Sequence, residues 1–230
     1  MAQLDGLTPA CGVPGTETAQ RFLAGAYDSV EAVLDSLDVV RALRKTKTGS
    51  IAGRLPANEE DLLRAAIVFA GAGLDAALKR LIRDTLPDLL ERNDEAHRKF
   101  EDFAIRRLGV TEVTDVKALA RYLVARNPRQ QLIEDYVFDL TGSSLQSAEE
   151  VDKASGALGI TDGALRKRIG GLRELFLARN EISHELDLQR PEKQGDRARR
   201  TRKIPWTKKQ CHEGLEIGQL IINAVGATLS

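Results

Sequence analysis

The sequence predicts an all-α fold, a helical bundle, on three observations. Aromatic residues make up only 4% of the chain, which argues against a sheet-rich core, while 42% of it is hydrophobic. Apolar residues recur at three- and four-residue steps over long stretches. The seven prolines (Pro9, Pro14, Pro56, Pro87, Pro128, Pro191 and Pro205) read as punctuation between periodic stretches, with none inside one. No segment reads as a strand.

The first helix is expected from about Glu17 to Arg44, with Phe22, Ala26, Val30, Val33, Leu37 and Val40 as one apolar stripe. Residues 45–58, with Gly49 and Gly53, read as a loop. Asn58 suits an N-cap, with acids Glu59, Glu60 and Asp61 in the turn that follows. The second helix then runs to about Leu86, turning Leu63, Ile67, Ala70, Leu74, Leu78 and Leu81 inward. Gly71 and Gly73 each cost about 1 kcal/mol against alanine in a helix, so another helix should approach closely there.

Between Pro87 and Gly159 the pattern breaks into shorter pieces: Phe100 to Leu108, Asp115 to Arg126 and Pro128 to Leu140. Ser147 with Glu150 forms a capping box for a fourth. A long helix follows from about Asp162 to Leu188. After a loop over residues 189–205, Thr207 is the expected cap of a last helix to about Leu229, with Trp206 as a staple before it.

Composition excludes several classes. Basic and acidic residues balance at 34 each, so net charge points to no partner and only local distribution can. Cys11 and Cys211 lie at opposite ends and form neither a disulfide framework nor a zinc motif; two free thiols in a reducing cytoplasm are expected. No leader peptide or membrane-spanning run is visible, so no membrane association is expected.

Arg179-Asn180-Glu181-Ile182-Ser183-His184 carries the most chemical information. Histidine takes and gives protons near neutral pH. Arginine presents a charged planar fork that suits a phosphate. Asn180 and His184, four apart, share a helix face, which lets Asn180 orient the imidazole or touch substrate. Arg179 lies about 140° around the helix from His184, so its long side chain, a helix distortion or a second subunit must close the gap. A rival set, Arg92-Asn93-Asp94-Glu95-Ala96-His97, has the same spacing and the same asparagine. The amphipathic setting of Arg179 to His184 favours it as the rigid one. The plainer alternative makes His184 an ordinary helix histidine.

The run Leu175-Phe176-Leu177-Ala178-Arg179-Asn180-Glu181-Ile182-Ser183-His184-Glu185 resembles the signature of the HEPN superfamily: arginine, a polar residue, then histidine. The stretch from Ile67 to Leu78 resembles that family's second helix. The opening Phe22-Leu23-Ala24-Gly25-Ala26-Tyr27 is similar to its RiboL-PSP-HEPN bacterial branch. The resemblance implies one HEPN-like domain over residues 1–230. Its core would span about 17–86 and 162–229, with a helical insertion at about 87–160. It further implies a homodimer with a composite active site and metal-independent endoribonuclease activity. Arg179, His184 and Asn180 would be catalytic, with Glu181 and Asp75 supporting. A role as a toxin or phage-defence effector follows, with RNA as substrate and an antitoxin or regulatory partner. Leu186 stands where HEPN toxins with nucleotidyltransferase antitoxins carry a tyrosine, so control through that tyrosine is not supported. The alternative is a non-catalytic HEPN-like module that binds nucleic acid, nucleotide or a partner protein.

From Arg190 to Lys209 there are nine basic residues and two acidic ones. Arg190, Arg197, Arg199, Arg200, Arg202 and Lys203 are therefore the candidate RNA-backbone contacts. No cofactor is expected. No metal is either: Glu181 and His184 give half of a di-iron carboxylate pattern with no second half, and position 188 is leucine where a zinc protease needs histidine. No glycine-rich phosphate loop follows a strand.

Overall fold

A computed structural model describes residues 4–9, 12–109 and 116–230. Among these, nine helices form and no strand: α1 (Glu17–Thr48), α2 (Ala57–Arg92), α3 (Asp94–Arg107), α4 (Val116–Leu123), α5 (Pro128–Thr141), α6 (Ala148–Ala157), α7 (Gly163–Gly171), α8 (Arg173–Glu185) and α9 (Ile204–Leu229). The all-α bundle follows from the periodicity. Cys11 and Asp115 lie outside the described residues.

The central helix is α2, which packs against α1, α9 and α8 and also meets α3, α5 and α6. Its Leu63, Ile67, Leu74, Leu78 and Leu81 are fully buried in a cluster shared with Leu23 and Leu37 of α1 and Leu215 and Ile221 of α9. The two α2 glycines serve two neighbours. A Cβ on Gly73 would lie 2.0 Å from the Ala26 Cβ of α1, and one on Gly71 would lie 3.3 Å from Cγ of Arg179 on α8. Helices α3, α5 and α6 pack beside α2, and α4 packs on α5. Asp75 of α2 anchors the turn before α6 by accepting the Leu145 amide at 2.6 Å.

Several helix ends differ from expectation. Pro87 lies inside α2, which continues to Arg92. The proline forfeits one helical hydrogen bond, but Leu86, Leu89 and Leu90 on either side are buried and hold the helix through it. Asn58 is not the N-cap: Pro56 precedes the helix, and its carbonyl accepts the amides of Glu59 and Glu60. The α1 helix runs one turn further than expected and stops at Gly49 in the left-handed conformation. Asn93, not a later residue, opens α3 by accepting the Ala96 amide at 2.9 Å. Thr207 is not a cap either. Lys203 stands at that position and Pro205 fills the first turn, where its missing N–H costs nothing. Trp206 is thus inside the helix. Ser147 does cap α6, accepting the Glu150 amide at 3.0 Å.

The expected single helix from Asp162 to Leu188 is two helices. After Gly170-Gly171, two weak helix formers in succession, a tighter turn at Leu172 separates α7 from α8. The second piece ends at Glu185, three residues early. Leu186 and Asp187 both adopt left-handed backbone, with φ of 51° and 59°. No described helix is long and apolar enough to cross a membrane.

Candidate active site

The motif lies on α8, whose position is set by its buried side of Leu175, Phe176 and Ala178. The opposite face carries Leu177, Asn180 and His184, three and four residues apart. His184 is exposed and forms no hydrogen bond or ion pair among the described residues.

Arg179 starts from the flank that faces α2. Its stem lies over Gly71, where a β-carbon would intrude. The guanidinium then reaches outward, and Nη1 donates to Asn180 Oδ1 at 3.1 Å. The long side chain thus reaches Asn180, the neighbour that shares the His184 face. Asn180 thus orients the arginine through its oxygen, and its amide nitrogen is uncommitted. Arg179 Nε is sealed from solvent without a partner. An unmet buried donor costs about 1–3 kcal/mol, so the pose is held by its surroundings.

The end of α8 is held by a charge cluster. Two consecutive non-glycine left-handed residues cost about 1–2 kcal/mol each. The amides of Leu186 and Asp187 both donate to the Glu181 carbonyl. The Asp187 carboxylate, 0% exposed, accepts Arg64 Nε at 2.7 Å and Arg202 Nε at 3.1 Å, with a further contact from Arg202 Nη2. Arg64, 3% exposed, also donates to the Arg200 carbonyl at 2.7 Å and pairs with Glu60 at 3.2 Å. Arg202 pairs with Glu181 at 2.8 Å and lies 5.6 Å from the Trp206 ring centre. Burial works against the Arg202 charge, but Asp187 and Glu181 outweigh it and hold its pKa above the ordinary arginine value. Sequence reasoning missed Asp187 and Arg64. The available signal was Glu60 and Arg64 four apart beside inward-facing Leu63 and Ile67, a charged pair on a helix's buried side.

Four of the six candidate RNA contacts are held by carboxylates. Arg199 pairs with Asp61 at 2.5 Å, Arg200 with Glu181 at 3.2 Å and Arg190 with Asp196 at 2.6 Å. A bridge between Leu188 and Arg199 closes the loop at its base. Arg197 and Lys203 are exposed and bind no carboxylate among the described residues. Of the six candidate contacts, Arg197 and Lys203 are thus the two with uncommitted heads. Glu181 is taken by Arg200 and Arg202. Asp75 serves Leu145 and pairs with Lys79 at 3.1 Å, and has no hydrogen bond or ion pair with the motif.

Each member of the rival set has a partner. Arg92 Nη1 donates to the Leu229 carbonyl at 2.7 Å, tying α2 to the end of α9. Asn93 caps α3. His97 Nδ1 sits 3.1 Å from the Leu90 carbonyl, and its Nε2 lies 3.5 Å from Glu101. Among the described residues, no group of three His, Cys, Asp or Glu side chains is arranged to hold a metal ion.

No family model, curated protein or solved structure matches this chain. What α8 offers chemically is an exposed imidazole one turn from an amide that steers a guanidinium. That combination suits proton transfer beside a bound phosphate.

Proposed function

We propose that the protein is a metal-independent endoribonuclease of the HEPN type, acting as a cytoplasmic toxin or phage-defence effector. One observation carries this reading. Of the two sets with the same residues and spacing, only Arg179, Asn180 and His184 leave the imidazole without a partner among the described residues. In the other, His97 meets the Leu90 carbonyl and Asn93 is spent on a helix cap.

In the proposed reaction His184 takes the proton of an RNA 2′-hydroxyl. The 2′-oxygen attacks phosphorus and the bond to the 5′-oxygen breaks. An acid protonates that leaving oxygen, and the product carries a 2′,3′-cyclic phosphate. Arg179 neutralises charge on the phosphorane-like transition state. A two-fold homodimer supplies a second His184 as the acid. Leu177, 59% exposed on the His184 stripe, and exposed Leu186 just beyond it are apolar surface that a second copy would bury. An antitoxin or regulatory partner completes the proposal.

The test is cleavage of RNA by purified protein in excess EDTA, with cyclic phosphate ends expected. A strict need for magnesium or manganese overturns the mechanism. RNA binding without any cleavage favours the alternative, a HEPN-like module that binds nucleic acid without cutting.

A further inference from the structure

A half-open cleft of about 620 Å³ lies between α3, α5, α6 and the start of α7, and no motif residue lines it. Volumes of roughly 300–1,000 Å³ hold ligands of small-molecule size. The cleft has an apolar interior and a charged rim, and two polar groups within it lack the partners their chemistry calls for.

The first is Tyr136, which is 3% exposed. Its ring is wedged between Phe103, at 4.8 Å between centroids, and Phe100, at 5.6 Å. The hydroxyl is therefore fixed in direction. It forms no hydrogen bond among the described residues, its oxygen is not sealed from solvent, and the cleft is the opening that Tyr136 borders. Burial raises the Tyr136 pKa well above that of an ordinary tyrosine, with Asp139 adding to the effect. The phenol thus stays protonated, a donor awaiting an acceptor.

The second is Arg106. Every carboxylate on the rim already has a cation: Glu95 holds Arg98 at 2.6 Å, Asp152 holds Arg166 at 2.6 Å and Asp102 lies 3.7 Å from Arg98. Lys153 is paired with Asp139 at 3.1 Å. Arg106 reaches only a backbone carbonyl, that of Asp102 at 3.3 Å, and pairs with no carboxylate among the described residues. The cleft therefore has an unbalanced guanidinium at its rim, a fixed phenolic donor, and apolar surface from Leu140, Ala157 and Ile160 between them.

The geometry points to a binding site for a small organic anion: an apolar or flat body over Leu140 and Ile160, and a phosphate or carboxylate head held by Arg106 and the Tyr136 hydroxyl. This inference is independent of the RNA-cleavage reading, because it shares no residue with α8.

The test uses the full chain and 8-anilinonaphthalene-1-sulfonate, an aromatic anion whose fluorescence reports binding. One saturable site is expected. Arg106→Gln, on an exposed position that leaves the core untouched, should weaken it by about tenfold or more, as expected for removal of a charge-assisted bond. Tyr136→Phe should weaken it less. Gly156→Leu should abolish it: Gly156 lines the cleft and a β-carbon there meets nothing closer than Lys99 Cε at 3.9 Å, so a larger side chain should extend into the cleft. Phenyl phosphate and phenylacetate, which differ in their heads, then compete with the dye, and the stronger competitor identifies the head preferred. Helix content by circular dichroism should match wild type in all three variants. Binding that is unsaturable, unchanged in both Arg106→Gln and Gly156→Leu, or displaced by neither competitor overturns the assignment.

Discussion

At the scale of single residues, two histidines with the same sequence setting have different surroundings. His184→Ala should abolish RNA cleavage while leaving the thermal midpoint near wild type, because the exposed ring forms no hydrogen bond or ion pair among the described residues. His97→Ala should leave cleavage nearly unchanged and cost about 1 kcal/mol in stability, the worth of one hydrogen bond. A reversed pattern in paired cleavage and melting measurements would show that the other histidine does the chemistry. Asp187→Ala should be far more damaging, about 3–5 kcal/mol by chemical denaturation, since it strands two buried arginines. Cys211 should resist alkylation until the protein unfolds, because burial pushes its thiol up to about 12. Mass spectrometry after iodoacetamide treatment checks this. The motif residues were legible because spacing and an amphipathic frame are sequence properties. The Asp187–Arg64 pair was not: its members are 123 positions apart, and no local pattern brings them together.

At the scale of elements, Gly71 and Gly73 make opposite forecasts from opposite sides of one helical turn. Gly73→Ala puts a methyl 2.0 Å from the Ala26 Cβ, so α1 and α2 must separate. A loss of about 1–3 kcal/mol is expected, as for other overpacked sites. Gly71→Ala meets only a flexible stem at 3.3 Å and gains helix propensity, so stability should hold or rise. Its cost should fall on cleavage instead, through a displaced Arg179. Equal loss of stability in both variants would contradict that division. Gly71 and Gly73 were readable as points of close approach, but which helix approaches each was not. Helix existence was likewise legible from period, whereas ends depended on burial. Leu86, Leu89 and Leu90 carry α2 through Pro87, and the starts were set by prolines rather than by Asn58 or Thr207: Pro56 just before α2 and Pro205 in the first turn of α9.

At the scale of the whole molecule, four of the six cations read as RNA contacts are engaged in ion pairs within the fold. Replacing Arg197 and Lys203 together by glutamine should weaken RNA binding and lower the salt-dependence slope by roughly 0.7 for each phosphate no longer neutralised. Replacing Arg202 should instead lower the melting temperature, because its guanidinium serves Asp187 and Glu181. Affinity and salt slope unchanged in the first variant would remove the segment from the RNA path. The clasp at Asp187 has a kinetic meaning as well. It binds the end of α8, the first turns of α2 and the strap leading into α9 into one unit, with the Arg200 amide donating to the Asp187 carbonyl at 2.8 Å. A segment fastened on three sides cannot fray alone. In native-state hydrogen exchange, the amides of Asp187 and Arg200 should open in the same subglobal event as those of α2 near Arg64, with a common denaturant dependence. The two halves of the chain, far apart in sequence, would then melt as a single foldon with the candidate catalytic histidine at its edge.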